Sequence, residues 1–379
     1  MNSSASLSSY PSTRLLSLDV FRGLTMMSMV MVNNPGNGDY VYPPLRHAEW
    51  NGCTFTDLIF PFFLFMVGTS MAFSFARRLH DNDPKHLLIQ IVRRTVILFS
   101  IGLLLNLLFA WADSSIRILG VLQRIALCYF FVSLMVLKLK PAGLWIMGIS
   151  LLILYSIGML LIPVPNYGAG VFLPEGSFCW WLDSMILHGY TWMYAPAAGF
   201  DPEGIWSTLP AIVTTLIGFN TGQLLHSDRT ENEKLIGLFT RGNVCLLLSF
   251  ITLAFMPINK QLWTVPYVFL TAGLACHVLG MLYLWIDCRK HHWGLTPALI
   301  YGTNAIFVYV VSDLIAFLLA VIQIPGGEAT TDLKQYLYEH LYVSWASPIN
   351  ASLAMSLSNV LVCLAITYFL YRKRIWIKI

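Results

Sequence analysis

Long apolar windows recur along the chain, separated by polar segments, and the pattern predicts an all-α membrane protein. Ten windows stand out: 15–33, 55–76, 92–111, 116–137, 143–162, 206–225, 241–258, 264–286, 297–322 and 349–371. Each holds about 20 residues, enough at 1.5 Å per residue to cross a hydrocarbon core of about 30 Å. The runs are continuous, whereas the strands of a membrane β-barrel would alternate apolar and polar positions. The expected architecture is a polytopic helical bundle of about ten transmembrane helices, whose even count puts both termini on one side. The Ser-rich residues 1–13 read as a disordered tail and 14–379 as a single transmembrane domain. The tail lacks a basic leader, and the first window contains Asp19 and Arg22. That window therefore reads as a retained helix rather than a cleaved signal peptide.

Charge orients the bundle. Only 11% of residues are charged, against about 25% in soluble domains, and most basic residues flank alternate loops. Counting Arg14, the even loops and tail hold 17 of the 23 Lys and Arg residues, while the odd loops hold only Arg46, Arg117, Lys260 and Lys334. The positive-inside rule makes the even loops and both termini cytoplasmic. The net charge of +4 is explained by this topology and is not a nucleic-acid signal. Seven cysteines show no CxxC spacing, so a metal site is not expected. A Cys53–Cys179 disulfide on the outer side stays open.

Candidate chemistry lies where polar residues interrupt this pattern. RHAEWNGCTFTDLIFPFFLFMVG, residues 46–68, packs a histidine, a tryptophan, an asparagine and an aspartate just before an apolar run. That places His47 at the mouth of a membrane cavity, where polar groups need partners or a purpose. Asp57 reads as a helix cap that also orients the imidazole. Asp19 and Arg22 share a helix face, either as a structural ion pair or as part of an anion site. Arg117 and Arg124, seven apart, are read as sharing a face of the fourth span. Arg124, beside Gln123, either pairs with Asp113 or Asp313 or meets an anionic ligand. Asn304 and Asp313 lie on the ninth span. Asp201 and Glu203 read as a solvated cap and turn, or as carboxylates attracting a cationic acceptor. The long outer segments 163–205 and 323–348 suggest a vestibule. Gly218 and Gly222 read as helix packing. Hydrolase, P-loop and dinucleotide motifs have no credible context.

Several strings taken in order are similar to the heparan-α-glucosaminide N-acetyltransferase family: SLDVFRGLT, VNN, LRHAEWNGCTFTDLIFPFFLFMVG, GVLQR, DPEG with STLPAIVTT, GFNTG and GTNAIFVY. The resemblance implies a multi-pass acetyltransferase of the bacterial cytoplasmic membrane. It would take acetyl-CoA from the cytoplasm and N-acetylate an amino sugar, glucosamine or a terminal glucosaminide, on the far side. It puts the essential histidine at His47 and a functional asparagine at Asn33. His47 would act as general base or as acetyl carrier, Asn33 as donor to the oxyanion, and Asp57 as the group orienting His47. Arg93, Arg94 and Arg241 are candidates for the phosphoadenosine end of coenzyme A. Arg22, Arg124, Gln123 and Asn304 are candidates for its deeper part. Trp50, Asn51, Asp201 and Glu203 are candidates for the acceptor. The lipid bilayer is an implied partner, and a homodimer is compatible with the sequence. The rival readings are a secondary transporter of amino sugars and an O-acetyltransferase of envelope polysaccharide.

Overall fold

The structure, a computed structural model, describes residues 15–81, 84–113, 115–326 and 329–377. The tail expected over 1–13 lies outside the described residues. The helices are α1 (Leu16–Asn33), α2 (Phe55–Asp81), α3 (Pro84–Asp113), α4 (Val121–Lys138), α5 (Pro141–Leu161), α6 (Phe178–Leu187), α7 (Ile205–His226), α8 (Glu231–Thr252), α9 (Val265–Leu282), α10 (Thr296–Thr303), α11 (Ala305–Val321), α12 (Leu333–Leu337) and α13 (Pro348–Arg372). A short hairpin pairs β1 (Gln323–Gly326) antiparallel to β2 (Ala329–Asp332). The protein is an all-α polytopic membrane protein.

Every expected window contains a helix, but the windows differ in kind. Among the described residues, seven helices are long and apolar enough to cross a membrane. The pair α10–α11 makes an eighth if its two halves, bent by 88°, count as one span. The remaining windows fold as α1 and α7, with 18 and 22 residues, and neither carries an apolar stretch of that strength. The reason is position. Most of α7 between Ser207 and Leu225 is buried in the bundle, so it presents little surface to lipid and can carry polar side chains. Its threonines turn inward on their own helix: the Thr214, Thr215 and Thr221 hydroxyls donate to the carbonyls of Pro210, Ala211 and Ile217. α5 and α8 do the opposite. They expose Ile146, Ile149, Leu161, Leu247 and Phe250 on the outside of the bundle, as lipid contact requires.

α2 and α7 form the central pair. A Cβ at Gly68 would lie 1.9 Å from the Thr215 carbonyl oxygen, and one at Gly218 would lie 2.0 Å from that of Phe65. Only glycine allows the two backbones this close, as the Gly218 spacing suggested.

Two expectations need correcting. The window 297–322 is not one straight helix. Asn304 breaks it: its Nδ2 donates to the Ile375 carbonyl at 3.2 Å, and its Oδ1 accepts from the Ile377 amide at 2.9 Å. Arg117 and Arg124 do not share a helix face either, because α4 starts at Val121 and Arg117 lies in the lead-in before it.

Candidate active site

The chain from α1 to α2 builds the site. Thr54 ties the loop into a tight turn, its hydroxyl donating to the Arg46 carbonyl at 2.7 Å. Gly52, at φ +119°, supplies a backbone conformation that side chains rarely adopt. The loop is also stitched to the segment before α9. The Gly52 amide donates to the Ile258 carbonyl at 2.8 Å, and Asn259 Nδ2 donates to the Trp50 carbonyl at 2.8 Å.

Asp57 organises what this loop presents. It is buried in the first turn of α2. Oδ2 accepts from the Ala48 and Thr54 amides, each at 3.0 Å, with the Thr54 hydroxyl, which donates to Arg46, also 3.0 Å away. Oδ1 accepts from His47 Nδ1 at 2.6 Å. A carboxylate can only accept, so Nδ1 carries the proton and Nε2 keeps its lone pair. The His47 ring is 53% exposed and Asp57 is 2% exposed, so a buried group holds a reachable one. Lys260 Nζ joins them, 3.1 and 3.4 Å from the two ring nitrogens and 3.7 Å from Asp57 Oδ1.

These groups face a cavity of about 210 Å³. Asn33 closes it from the end of α1, and Trp50, Ile59 and Phe60 form one wall. Trp192, Pro202 and Glu203, from the long segment before α7, form another with Arg117. The Trp50 indole donates to the Phe172 carbonyl at 2.6 Å, which fastens that segment over the site. The expected vestibule over 163–205 is therefore a cavity wall. Among the described residues, the segment 323–348 contributes none to this lining.

Arg117 carries the polar roof. Its Nε donates to Asp201 Oδ2 at 2.9 Å and its Nη2 to Asp201 Oδ1 at 2.6 Å, and Nη2 also meets Glu203. Burial opposes the Arg117 charge, but Glu203 and Asp201 outweigh it and hold the guanidinium above its ordinary pKa. Burial raises the Asp201 carboxyl, against the pull of Arg117. Burial also pushes on Glu203, but Arg117, Arg124 and Lys260 hold it below the usual range. Burial lowers the Lys260 ammonium, with Asp57 and Glu203 opposing. Burial, with Asp57 adding, pushes the Cys53 thiol up to about 12, so it offers no thiolate near neutral pH.

A second cavity of about 290 Å³ lies further along the same helices. The first is lined by Ile59, Phe60 and Val121; the second by Phe63, Val67, Ser70, Ile125 and Tyr129. One helical turn separates them on both α2 and α4. Arg22 and Arg94 supply the charge there. Arg22 pairs with Asp19 at 3.2 Å and donates to the Gly302 carbonyl and Ser70. Arg94 lies over the Tyr129 ring, 4.5 Å from its centre.

The structure thus brings His47, Asp57, Asn33, Trp50 and Glu203 to one cavity and Arg22 and Arg94 to the other. The other candidates lie elsewhere. Arg124 is buried against the Gly204 carbonyl, Ser207 and the Trp263 ring, not beside Asp313; the Asp113 side chain lies outside the described residues. Asp313 has a hydrogen bond with Tyr309 instead. Gln123 donates to the Ile118 carbonyl and Arg241 to that of Asn220. Arg93 is exposed and lines neither cavity. Asn304 holds the C-terminal segment, and Asn51 accepts from Asn259. Asp201 is no solvated turn: it is buried and taken by Arg117. Cys53 and Cys179 are both free, the Cys179 thiol lying 3.6 Å from the Met159 sulfur. Sequence reasoning missed Lys260. Its signal was a lysine on the side from which the charge bias removes most basic residues.

A polytopic membrane protein with a carboxylate-held histidine at a cavity mouth is built like an enzyme rather than a passive bundle. The chain belongs to the heparan-alpha-glucosaminide N-acetyltransferase family, whose catalytic-domain model matches residues 14–255. It is 30% identical to the human heparan-alpha-glucosaminide N-acetyltransferase over 97% of this chain and 60% of that protein. It is 31% identical to the mouse enzyme of the same name over 78% of this chain and 53% of that protein. The chain thus spans only about half to three fifths of these relatives' lengths.

Proposed function

We propose that this protein is a membrane-embedded acetyltransferase that moves the acetyl group of acetyl-CoA onto the amine of a glucosamine or terminal glucosaminide. The observation that carries this reading is the His47–Asp57 pair on the lining of a cavity of about 210 Å³. Asp57 fixes the tautomer, so Nε2 faces the cavity as a base. Asn33, which lines the same cavity, donates to the oxyanion that forms when the amine attacks the thioester. The acceptor groups Glu203 and Trp50 line the same cavity as His47. Donor and acceptor therefore meet there, and direct transfer needs no acetyl-histidine. Glu203, already tied to Arg117, offers its remaining acceptor capacity to the sugar ammonium or hydroxyls.

The second cavity is the donor's path. Arg22 and Arg94 suit the coenzyme A pyrophosphate, and Ser70 and Ser74 suit the polar pantetheine arm. The positive-inside bias makes this end cytoplasmic and the His47 end extracytoplasmic, as in a protein of the bacterial inner membrane.

The test is purified protein given labelled acetyl-CoA and a panel of amino sugars and neutral polysaccharides. Label in N-acetylated sugar supports the reading. Label only in ester-linked acetyl would replace it with an O-acetyltransferase. Uptake of unmodified sugar, with acetyl-CoA untouched, would replace it with a transporter.

A further inference from the structure

N-acetylation of an amino sugar has a proton problem that one histidine does not solve. The acceptor arrives near neutral pH as R–NH₃⁺, whose nitrogen has no lone pair. It must lose one proton before it attacks and a second as the amide forms. The leaving thiolate takes back one of the two. The other must leave the site.

Lys260 is placed for this. Its Nζ lines the cavity and lies 3.1 and 3.4 Å from the two nitrogens of the His47 ring. A nitrogen so nearly equidistant from both sits over the ring rather than on the in-plane lone pair of Nε2, so it leaves that lone pair available. Its backbone is fixed: the Leu262 amide donates to Asn259 Oδ1 at 2.8 Å, the Asn259 amide to Thr264 Oγ1 at 3.1 Å, and the Trp263 amide to the Lys260 carbonyl at 3.1 Å. Asp57 is Lys260's ion-pair partner at 3.7 Å, but it also accepts shorter hydrogen bonds from the His47 ring and from the Ala48 and Thr54 amides, which hold it in place whichever form Lys260 takes. The charged or titratable groups facing Nζ are His47, Asp57, Cys53 and Glu203, with Arg117 on the cavity wall. The side chain keeps 20% of its surface exposed, which gives a proton a way out to water.

We propose that the Lys260 amine is the second proton acceptor of this site, taking the first proton of the acceptor ammonium and leaving the second for His47. The inference rests on the N-acetyltransferase reading above. The neutral Lys260 amine takes a proton from R–NH₃⁺ and becomes an ammonium. The freed R–NH₂ attacks the thioester carbonyl carbon as its remaining acidic proton passes to His47 Nε2. The C–S bond breaks, and His47 returns its proton to the thiolate. Lys260 then releases its own to water. The sum is R–NH₃⁺ plus acetyl-CoA giving R–NH–acetyl, coenzyme A thiol and H⁺. Burial, which lowers the Lys260 ammonium, favours the neutral amine that the first step needs.

The experiment compares glucosamine with an arylamine, which is uncharged at neutral pH and needs only one base. In Lys260→Met and Lys260→Arg, the ratio of glucosamine to arylamine turnover should fall about 100-fold at neutral pH. Arginine keeps the charge but cannot give up its proton. The ratio should recover at alkaline pH, where glucosamine loses its own proton. Arylamine turnover in the same two variants reports that they have folded. An equal fall for both acceptors, an unchanged ratio, or rescue by Lys260→Arg would overturn the proposal while leaving the acetyltransferase reading intact. Wild-type enzyme that acetylates neither amine would overturn that reading and this one with it.

Discussion

At the residue scale, one buried carboxylate does most of the organising. Asp57 accepts from two amides and from the His47 ring. Replacing it with asparagine keeps the shape but removes the charge that fixes the tautomer. Asp57→Asn should lower kcat about 100-fold or more while leaving the acetyl-CoA KM nearly unchanged; a fall in affinity alone would move Asp57 out of the chemistry. The Arg117 roof makes two further predictions. Arg117→Met leaves Asp201 and Glu203 buried without their counter-charge, so it should destabilise the protein by about 3–5 kcal/mol, read from thermal or denaturant unfolding in detergent. The sign of the Glu203 pH effect follows from its depressed pKa. Its stabilisation is complete above the ordinary glutamate value of 4.5 and is lost as pH falls through the lower folded value. The melting gap between wild type and Glu203→Gln should therefore hold steady above that value and shrink below it. That His47 and Asp57 stand together was legible because polar residues crowd a short gap in an apolar pattern, whereas Asn33 stood out through the family resemblance. The Arg117–Asp201 pairing was not, because 84 residues separate the partners.

At the element scale, apolar windows marked every main helix, because lipid contact and burial both select apolar residues. They did not tell lipid-facing helices from enclosed ones. α7 reads like its neighbours in length, yet its threonines and glycines serve a buried position. The kink at Asn304 was hidden for another reason: its hydrogen bonds go to Ile375 and Ile377, at the far end of the chain. Arg124 was read from its depth in the bundle, which could not show that its Nη2 meets the Gly204 carbonyl and Ser207 and that the guanidinium lies over the Trp263 ring. The α2–α7 contact gives the clearest test of an element. Gly68→Ala puts a methyl against the Thr215 carbonyl, which backbone movement alone can relieve. It should destabilise the protein by about 1–3 kcal/mol in unfolding measurements, whereas alanine at exposed Gly38, with open space around it, should change little.

At the scale of the whole molecule, two cavities follow one another along α1, α2 and α4. Arg22 and Arg94 line one, and His47 with Asp57, beside Lys260, Arg117 and Glu203, lines the other. This order suits a donor with an anionic end and a reactive end, delivered through the bundle to an acceptor at the opposite mouth. Charge asymmetry in the sequence sets the expected sidedness, but nothing in the sequence showed that the cavities are a helical turn apart. The most direct measurement uses purified protein in sealed vesicles, with labelled acetyl-CoA on the side bearing the basic loops and glucosamine on the other. The account predicts labelled N-acetylglucosamine on the glucosamine side, and a loss of about 10²- to 10⁴-fold in His47→Ala with acetyl-CoA binding retained. Near-normal turnover in His47→Ala, or transfer only when acetyl-CoA is supplied from the His47 side, would contradict it.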